Sequence, residues 1–382
     1  MSIYLDYNAS APIDPRVLEV MIDAYQNHFG NADSRTHDFG DGARAITEDA
    51  RGKVASLLGV KKDEVFFTSG ATESNNIAIL GLRKYGEETN RKHIITSSIE
   101  HKAVLNAAKY LAENGFEVEF VDPDESGRVD SQKVISMVRE DTLLVSVMHV
   151  NNETGIIQPV QEIGDYLKDT KTLFHIDATQ SCGKLVEEVR QLNYDLMSIS
   201  AHKMHGPQGV GALIMRKKRY RLPPVAPIMF GGGQEHGIRP GTLPVALIAG
   251  FGKACAIADE KADQKSTKCR EIKNIIIKLI EESGVTYTIN GDQNYCVSST
   301  INISFHGVAS EALMLATKQY CGVSNGSACN SRSYRHSYVL SAMKLSEERI
   351  ECAIRISWGE DTDIATLLRE FSSLLKTIKV MA

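Results

Sequence analysis

Across the first two thirds of the chain, short apolar runs alternate with longer amphipathic stretches. The runs include Glu64-Val65-Phe66-Phe67, His93-Ile94-Ile95-Thr96, Glu117-Val118-Glu119-Phe120-Val121 and residues 143–149. Between them, helical spacing predicts helices over residues 74–84, 102–114, 131–139 and 160–168. This alternation predicts an α/β fold, a mostly parallel sheet with helices on both faces. In such sheets ligands bind beyond the carboxyl ends of the strands. Past residue 243 the pattern changes. It predicts a long helix to about residue 262, bent or broken there, then a second helical stretch to residue 282. Strand-like segments and a C-terminal helix from residue 363 follow. The expected division is a large domain over residues 15–255 and a smaller α+β domain made of residues 1–14 with 256–382.

Composition narrows the class without naming a chemistry. The chain has 382 residues, 42% hydrophobic and 24% charged, with a net charge of −5. These are ordinary globular values, and the charge gives no reason to expect a general nucleic-acid or membrane surface. No apolar run approaches the roughly 20 residues of a membrane span, so no direct membrane binding is expected. The opening residues have no basic region followed by an apolar core, so no secretory signal is expected. Seven cysteines are scattered, with no CxxC pair, so no metal site is expected. Together these features fit a reducing cytoplasm.

Candidate chemistry gathers at the ends of apolar runs. In Ser198-Ile199-Ser200-Ala201-His202-Lys203 a lysine stands where a buried strand stops and a glycine-rich turn begins. A partly desolvated lysine loses its proton more easily and becomes a nucleophilic amine, as Schiff-base chemistry requires. Alone, the stretch equally fits an exposed lysine at a strand end. Upstream, Phe174-His175-Ile176-Asp177-Ala178-Thr179-Gln180 ends another run in an acid. Such an acid can pair with a protonated pyridine nitrogen or cap a helix. Phe67-Thr68-Ser69-Gly70-Ala71-Thr72-Glu73-Ser74 follows a strand and opens a helix. Its first-turn amides suit a phosphate or a plain N-cap.

Taken in order, Asp177, Gln180, Ser200, His202 and Lys203 resemble the pyridoxal phosphate (PLP) site of fold-type I enzymes. More narrowly, the chain resembles the class V aminotransferase group that contains the NifS/IscS-type cysteine desulfurases. Ser69 to Ser74 is similar to that group's "SGATES" phosphate cup, with Ala71 and Thr72 as cofactor contacts. His101, in Ser97-Ser98-Ile99-Glu100-His101-Lys102, matches the ring-stacking and proton-moving histidine. Met148 to Gly155 resembles "HVNNExG", which makes Asn152 a contact for cofactor and substrate and leaves His149 and Asn151 structural. Gly231 to Thr242 resembles "GGGQExxxRxGT", with Pro240 as a departure. The resemblance sends that loop to a neighbouring subunit, where Thr242 meets the cofactor phosphate. Ala353-Ile354-Arg355-Ile356-Ser357-Trp358-Gly359 resembles "IRxSxG" and makes Arg355 the clamp for a substrate carboxylate. Tyr4 to Pro12 resembles the opening "YLDYxATTP", with Ala9-Ser10-Ala11 as a departure, and Asn31 to His37 resembles the "NPSSxH" loop near the substrate.

Val323-Ser324-Asn325-Gly326-Ser327-Ala328-Cys329-Asn330-Ser331 resembles "SSGSACTS", the loop of the group that donates sulfur to partners, and departs from it at Asn325 and Asn330. The resemblance makes Cys329 the catalytic thiol and leaves Cys321 structural. Arg332, Arg335 and His336 put positive charge nearby, which favours a thiolate. The expected activity is conversion of L-cysteine to L-alanine, catalysed by Lys203, Cys329 and His101. The sulfur passes as a persulfide to an acceptor from an iron–sulfur, tRNA-thiolation or DNA-phosphorothioation system. A homodimer is expected. Another class V enzyme, such as an aminotransferase or selenocysteine lyase, would need Lys203 but not Cys329. A binding subunit on the same fold would need neither.

Overall fold

The computed structural model of the protein describes residues 2–326 and 336–382. In chain order the strands are β1 (Ile3–Tyr4), β2 (Val65–Thr68), β3 (His93–Ser97), β4 (Glu117–Val121), β5 (Thr142–Ser146) and β6 (Leu173–Asp177). They continue with β7 (Leu196–Ser200), β8 (Gly211–Met215), β9 (Tyr287–Ile289), β10 (Thr300–Phe305), β11 (Cys321–Gly322) and β12 (Ala353–Ser357). Among the described residues, seven strands form the main sheet in the order β2-β8-β7-β6-β5-β3-β4. The run from β7 to β4 is parallel, and β8 lies antiparallel between β2 and β7. The mostly parallel sheet read from the sequence is therefore present. Strands β2, β5, β7 and β8 are buried along their whole length, which is why they read as unbroken apolar runs rather than alternating ones.

One apolar core covers one face of this sheet, with Phe67, Val145, Ile176 and Ile199 from the strands and Ile163 and Phe251 from helices. A second forms on the other face around Phe66, Ile94, Leu144 and Leu213. A separate core joins Ile3 and Leu5 to Ile301, Phe305, Ile356, Trp358 and the helix Ile364–Met381. Its sheet is β12-β10-β9, antiparallel throughout.

Two helices differ from expectation. Residues 74–84 do not make one helix: Ala71–Leu80 ends at Gly81, and Arg83–Thr89 follows. A Cβ on Gly81 would stand 2.6 Å from Val225 Cγ1 and 2.7 Å from Ala226 O, so the chain turns where another segment presses against it. Nor is there a break near residue 262. Val245–Ser283 is one helix of 39 residues. Its first half packs Ile248, Phe251 and Cys255 into the large core, and its second half packs Ile272, Ile276 and Ile280 into the small one. The polar middle, 259–268, mimics a linker because it crosses between cores with little to bury. It is polar throughout apart from Ala262, carries three lysines and has no Gly or Pro, so nothing in it breaks a helix. Lys265 is further tied to Glu360 at 2.8 Å.

Candidate active site

At the carboxyl ends of β6 and β7 lies a cavity of about 510 Å³. Its floor is set by strand register. Asp177 ends β6 opposite Ser198, and Ser200 ends β7 opposite Gly211, which also faces Thr68 of β2. A Cβ on Gly211 would fall 2.5 Å from Ile199 O and 2.8 Å from Gly70 Cα. Only glycine lets the Ser69–Gly70 turn come this close. Gly70 has φ +144°, a conformation side chains disfavour.

From Gly70 the helix Ala71–Leu80 begins without a side-chain cap, and Ala71 and Thr72 border the cavity. Its first-turn amides are therefore available to an anion. Glu73 also borders the cavity, with Arg239 3.1 Å away and the Ser69 amide donating to its Oε2. Asn75 reaches across to Asp177: its Nδ2 donates to Asp177 Oδ2 at 2.8 Å, and the Thr179 amide donates to Oδ1 at 3.0 Å. Both oxygens accept, and the two bonds fix the carboxylate at the cavity floor.

Lys203 follows β7 in the short turn Ala201–Lys203. Its Nζ donates to the carbonyls of Asn8 at 2.6 Å and Ala9 at 2.7 Å. His101 caps the helix Lys102–Glu113, with Nδ1 accepting from the Ala103 amide at 3.1 Å. Nδ1 is thus an acceptor and any ring proton sits on Nε2. Burial, followed by the charges of Lys203 and Lys102, holds this imidazole below the usual histidine range, against the pull of Asp177. His202, also mainly through burial and then Lys203, is pushed down to about 4, and its Nδ1 lies 3.3 Å from Ser10 Oγ. Both rings are neutral at physiological pH.

Gln180 donates to Asn8 O at 2.9 Å and accepts from Lys184 Nζ at 3.1 Å. Asn152 presents a buried Oδ1 with no partner among the described residues, and its carbonyl accepts from Arg355 Nη1 at 2.8 Å. Arg355, on β12, reaches the cavity from the small sheet and also pairs with Asp6 at 2.6 Å. Asn151 instead turns inward, bonding Ile99 O and the amides of Glu153 and Thr154, so its role is structural. His149 is buried beside it.

The structure thus brings Ala71, Thr72, His101, Asn152, Asp177, Gln180, Ser200, His202, Lys203 and Arg355 to one cavity. Thr242 is not among them: it is exposed, in the segment leading into the helix Val245–Ser283. Cys329 and the cations Arg332 and Arg335 lie outside the described residues. The sequence reading missed Asn8, Asn75 and Thr179. Asn8 and Asn75 lie within or beside stretches already singled out, and their polarity next to small residues was the available signal.

The donor set fits pyridoxal phosphate. An uncapped helix start offers amides to a phosphate, Asp177 offers a carboxylate to a ring nitrogen, and Lys203 offers an amine. Asn75 Oδ1, Asn152 Oδ1 and Thr179 Oγ1 are buried with no partner among the described residues, which leaves polar atoms for a polar occupant to satisfy.

Comparison with known proteins agrees with this geometry. Residues 3–364 match the family model for aminotransferase class-V. The chain is 44% identical over 391 residues to the cysteine desulfurase IscS of Anaeromyxobacter dehalogenans (strain 2CP-C), covering 99% of this chain and 96% of that one. A solved NifS-like protein superimposes with a TM-score of 0.91 at 35% identity, covering all of both chains. SspA, solved in complex with cysteine, gives a TM-score of 0.81 at 37% identity over 95% of this chain and 100% of that one. The protein belongs to the aminotransferase class-V family and has the α/β fold of its NifS-like members.

Proposed function

We propose that the protein is a PLP-dependent cysteine desulfurase, which converts L-cysteine to L-alanine and transfers the sulfur through an enzyme persulfide. One observation carries the reading: Lys203, Asp177, the uncapped helix start at Ala71 and the guanidinium of Arg355 all border one cavity. Similarity to the IscS enzyme across 99% of the chain supports it.

Pyridoxal phosphate, when bound, supplies an electron sink at Cα of the substrate. The amides of Ala71 and Thr72 would hold its phosphate, Asp177 would keep a proton on the ring nitrogen, and His101 would face the ring. Gln180, Ser200 and His202 complete the cofactor's surroundings. Lys203 Nζ would hold the cofactor, and its amine is the group placed to move the Cα proton. Arg355 and Asn152 hold the substrate carboxylate. The Cys329 thiolate then attacks the substrate sulfur. The new S–S bond forms as the Cβ–S bond breaks, and the electron pair left on carbon takes up a proton to give alanine. Every described cysteine has its thiol pushed up, chiefly by burial, Cys182, Cys269 and Cys321 to about 12. This supports assigning the nucleophile to Cys329.

Thr242 serves the partner's cofactor phosphate in a homodimer. Its exposure outside its own chain's cavity supports this, as do the exposed apolar side chains Leu18, Ile22 and Tyr25 on the helix Pro15–Asn27 and Phe29 just past its end, with Phe39 stacked on Phe29. Separate cores support the division into residues 15–255 and residues 1–14 with 256–382. Among the described residues no helix is long and apolar enough to cross a membrane. Cytoplasmic residence is supported by free thiols at all six described cysteines. The acceptor is a protein of an iron–sulfur, tRNA-thiolation or DNA-phosphorothioation system, and capture of the persulfide-accepting partner decides among them.

The test is borohydride reduction and peptide mapping, with alanine and sulfide measured from L-cysteine. Cofactor on Lys203 and equimolar alanine and sulfide are expected. A label on another lysine, or amino transfer without sulfide, overturns the reading.

A further inference from the structure

Two lysines hold the two carbonyl groups of one asparagine. Lys203 Nζ donates to the backbone oxygen of Asn8 at 2.6 Å, and Lys184 Nζ donates to its side-chain Oδ1 at 3.0 Å. Gln180 closes the arrangement, donating to Asn8 O at 2.9 Å and accepting from Lys184 at 3.1 Å. Asn8 is itself fixed from the small sheet: its amide donates to Ser357 Oγ at 2.9 Å and its Nδ2 to Thr300 Oγ1 at 3.0 Å. Lys184 borders a second, smaller cavity of about 50 Å³, and Lys203 lines both this cavity and the larger one. Among the described residues no carboxylate pairs with Lys184; its ammonium donates to two amide oxygens.

We propose that Lys184 is a positioning residue for Lys203: anchored on Asn8 and Gln180, its ammonium opposes protonation of the Lys203 nitrogen while its hydrogen bonds fix the carbonyl on which that nitrogen rests. The inference rests on Lys203 being the cofactor lysine. Two carbonyl acceptors by themselves favour a protonated Lys203, because they bind the charged form. A neutral nitrogen is what both cofactor attachment and proton removal require. A second cation, poorly solvated and one residue away through Asn8, supplies the opposing field. The interaction is mutual: burial first, and then the charge of Lys203, hold Lys184 down to about 8, and Arg355 acts in the same direction. Cys269 and Cys296 act against it. The other titratable groups lining the small cavity are Tyr7, His205, Lys265 and Glu360. Glu360 is engaged by Lys265 at 2.8 Å and His205 at 3.4 Å, which leaves its charge largely neutralised locally.

The test follows the visible absorbance of the holoenzyme through a pH titration, since the band reports protonation of the lysine nitrogen bound to the cofactor. Wild type is compared with Lys184→Met and Lys184→Arg, and Lys184→Gln stands in for Lys184→Met if the latter does not fold. Loss of the charge should raise the proton affinity of that nitrogen about tenfold, one unit in the midpoint. Lys184→Arg should restore the wild-type midpoint. A purely structural lysine would change melting temperature but not this midpoint. An unchanged midpoint in Lys184→Met, with borohydride labelling still on Lys203, overturns the inference alone. Labelling of another lysine overturns both it and the proposed function.

Discussion

Arg355 holds Asp6 at 2.6 Å, and the same guanidinium donates through Nη1 to Asn152 O at 2.8 Å. Its Nε has no partner among the described residues although it is buried. The arginine is thus oriented from both sides while part of its fork stays uncommitted. That is the arrangement a carboxylate needs, since planar, two-point recognition depends on a guanidinium that does not swing.

Replacement of Arg355 by lysine should therefore weaken L-cysteine binding more than turnover. A lysine keeps the charge but loses the fork. The loss of one charge-assisted hydrogen bond, about 1.5–3 kcal/mol, corresponds to a KM raised roughly ten- to a hundredfold. Steady-state kinetics of Arg355→Lys check this, and an unchanged KM would remove Arg355 from substrate binding.

Asp177→Asn tests the floor of the cavity. The amide is nearly isosteric: its oxygen can still accept from Thr179 N, and Asn75 can turn its own amide so that its unpartnered Oδ1 accepts from the new NH2, so the fold should persist. Without its anion the ring nitrogen loses its proton and the electron sink weakens. Turnover should fall at least about a hundredfold, by analogy with removal of one preorganised electrostatic group, while the cofactor remains bound. Absorbance and alanine production measured together check it; a rate within a few-fold of wild type would refute the role.

Much of this site was legible because buried parallel strands betray their ends. Runs such as Phe174–Ile176 and Leu196–Ile199 stop abruptly at polar residues, and those residues, Asp177 and Ser200, do meet at the cavity. The contacts that join distant segments were not legible. Lys184 meets Asn8 across 176 positions, and no local pattern marks such a pair. The unbroken helix Val245–Ser283 was misread for a related reason. Hydrophobic spacing reports burial rather than backbone continuity, and it falls silent where a helix crosses from one core to another.

Buried titratable groups predict how stability varies with pH. His149 and His175 are held down to about 4 by burial, in His175 against the pull of Asp177. The unfolded chain binds these protons from about 6.5 downward, so stability is complete above that value and falls as pH drops toward 4. Glu100 has the opposite sign. Burial pushes it up to about 8, against hydrogen bonds from Ser97 and the Met148 amide. The unfolded chain releases that proton from about 4.5 upward, so stability falls as pH rises through 8. Glu100→Gln keeps an acceptor for Ser97 and Met148 and removes the alkaline loss. Its melting temperature should exceed that of wild type near pH 8 and match it near pH 5. Parallel curves at both values would contradict the assignment.

The last prediction separates the desulfurase from its relatives on the same fold. Cys329→Ser should keep the bound cofactor, because the cavity residues that hold it, Lys203 and Asp177 among them, are untouched. It should still bind L-cysteine, since Arg355 and Asn152 remain. It should lose persulfide formation and sulfide release, because a serine hydroxyl is a far poorer nucleophile toward sulfur at neutral pH than a thiolate. Cys321→Ser is the control. That thiol is buried on β11, with its proton held up to about 12 by burial, so it takes no part in chemistry at neutral pH and its loss should leave turnover near wild type. The measurement is alanine and sulfide from L-cysteine, with and without a reductant, alongside mass analysis for one added sulfur on the protein. Wild type and Cys321→Ser should gain that sulfur and Cys329→Ser should not. Wild-type turnover in Cys329→Ser would mean that sulfur leaves without an enzyme thiol, and direct lyase chemistry would then replace the persulfide route.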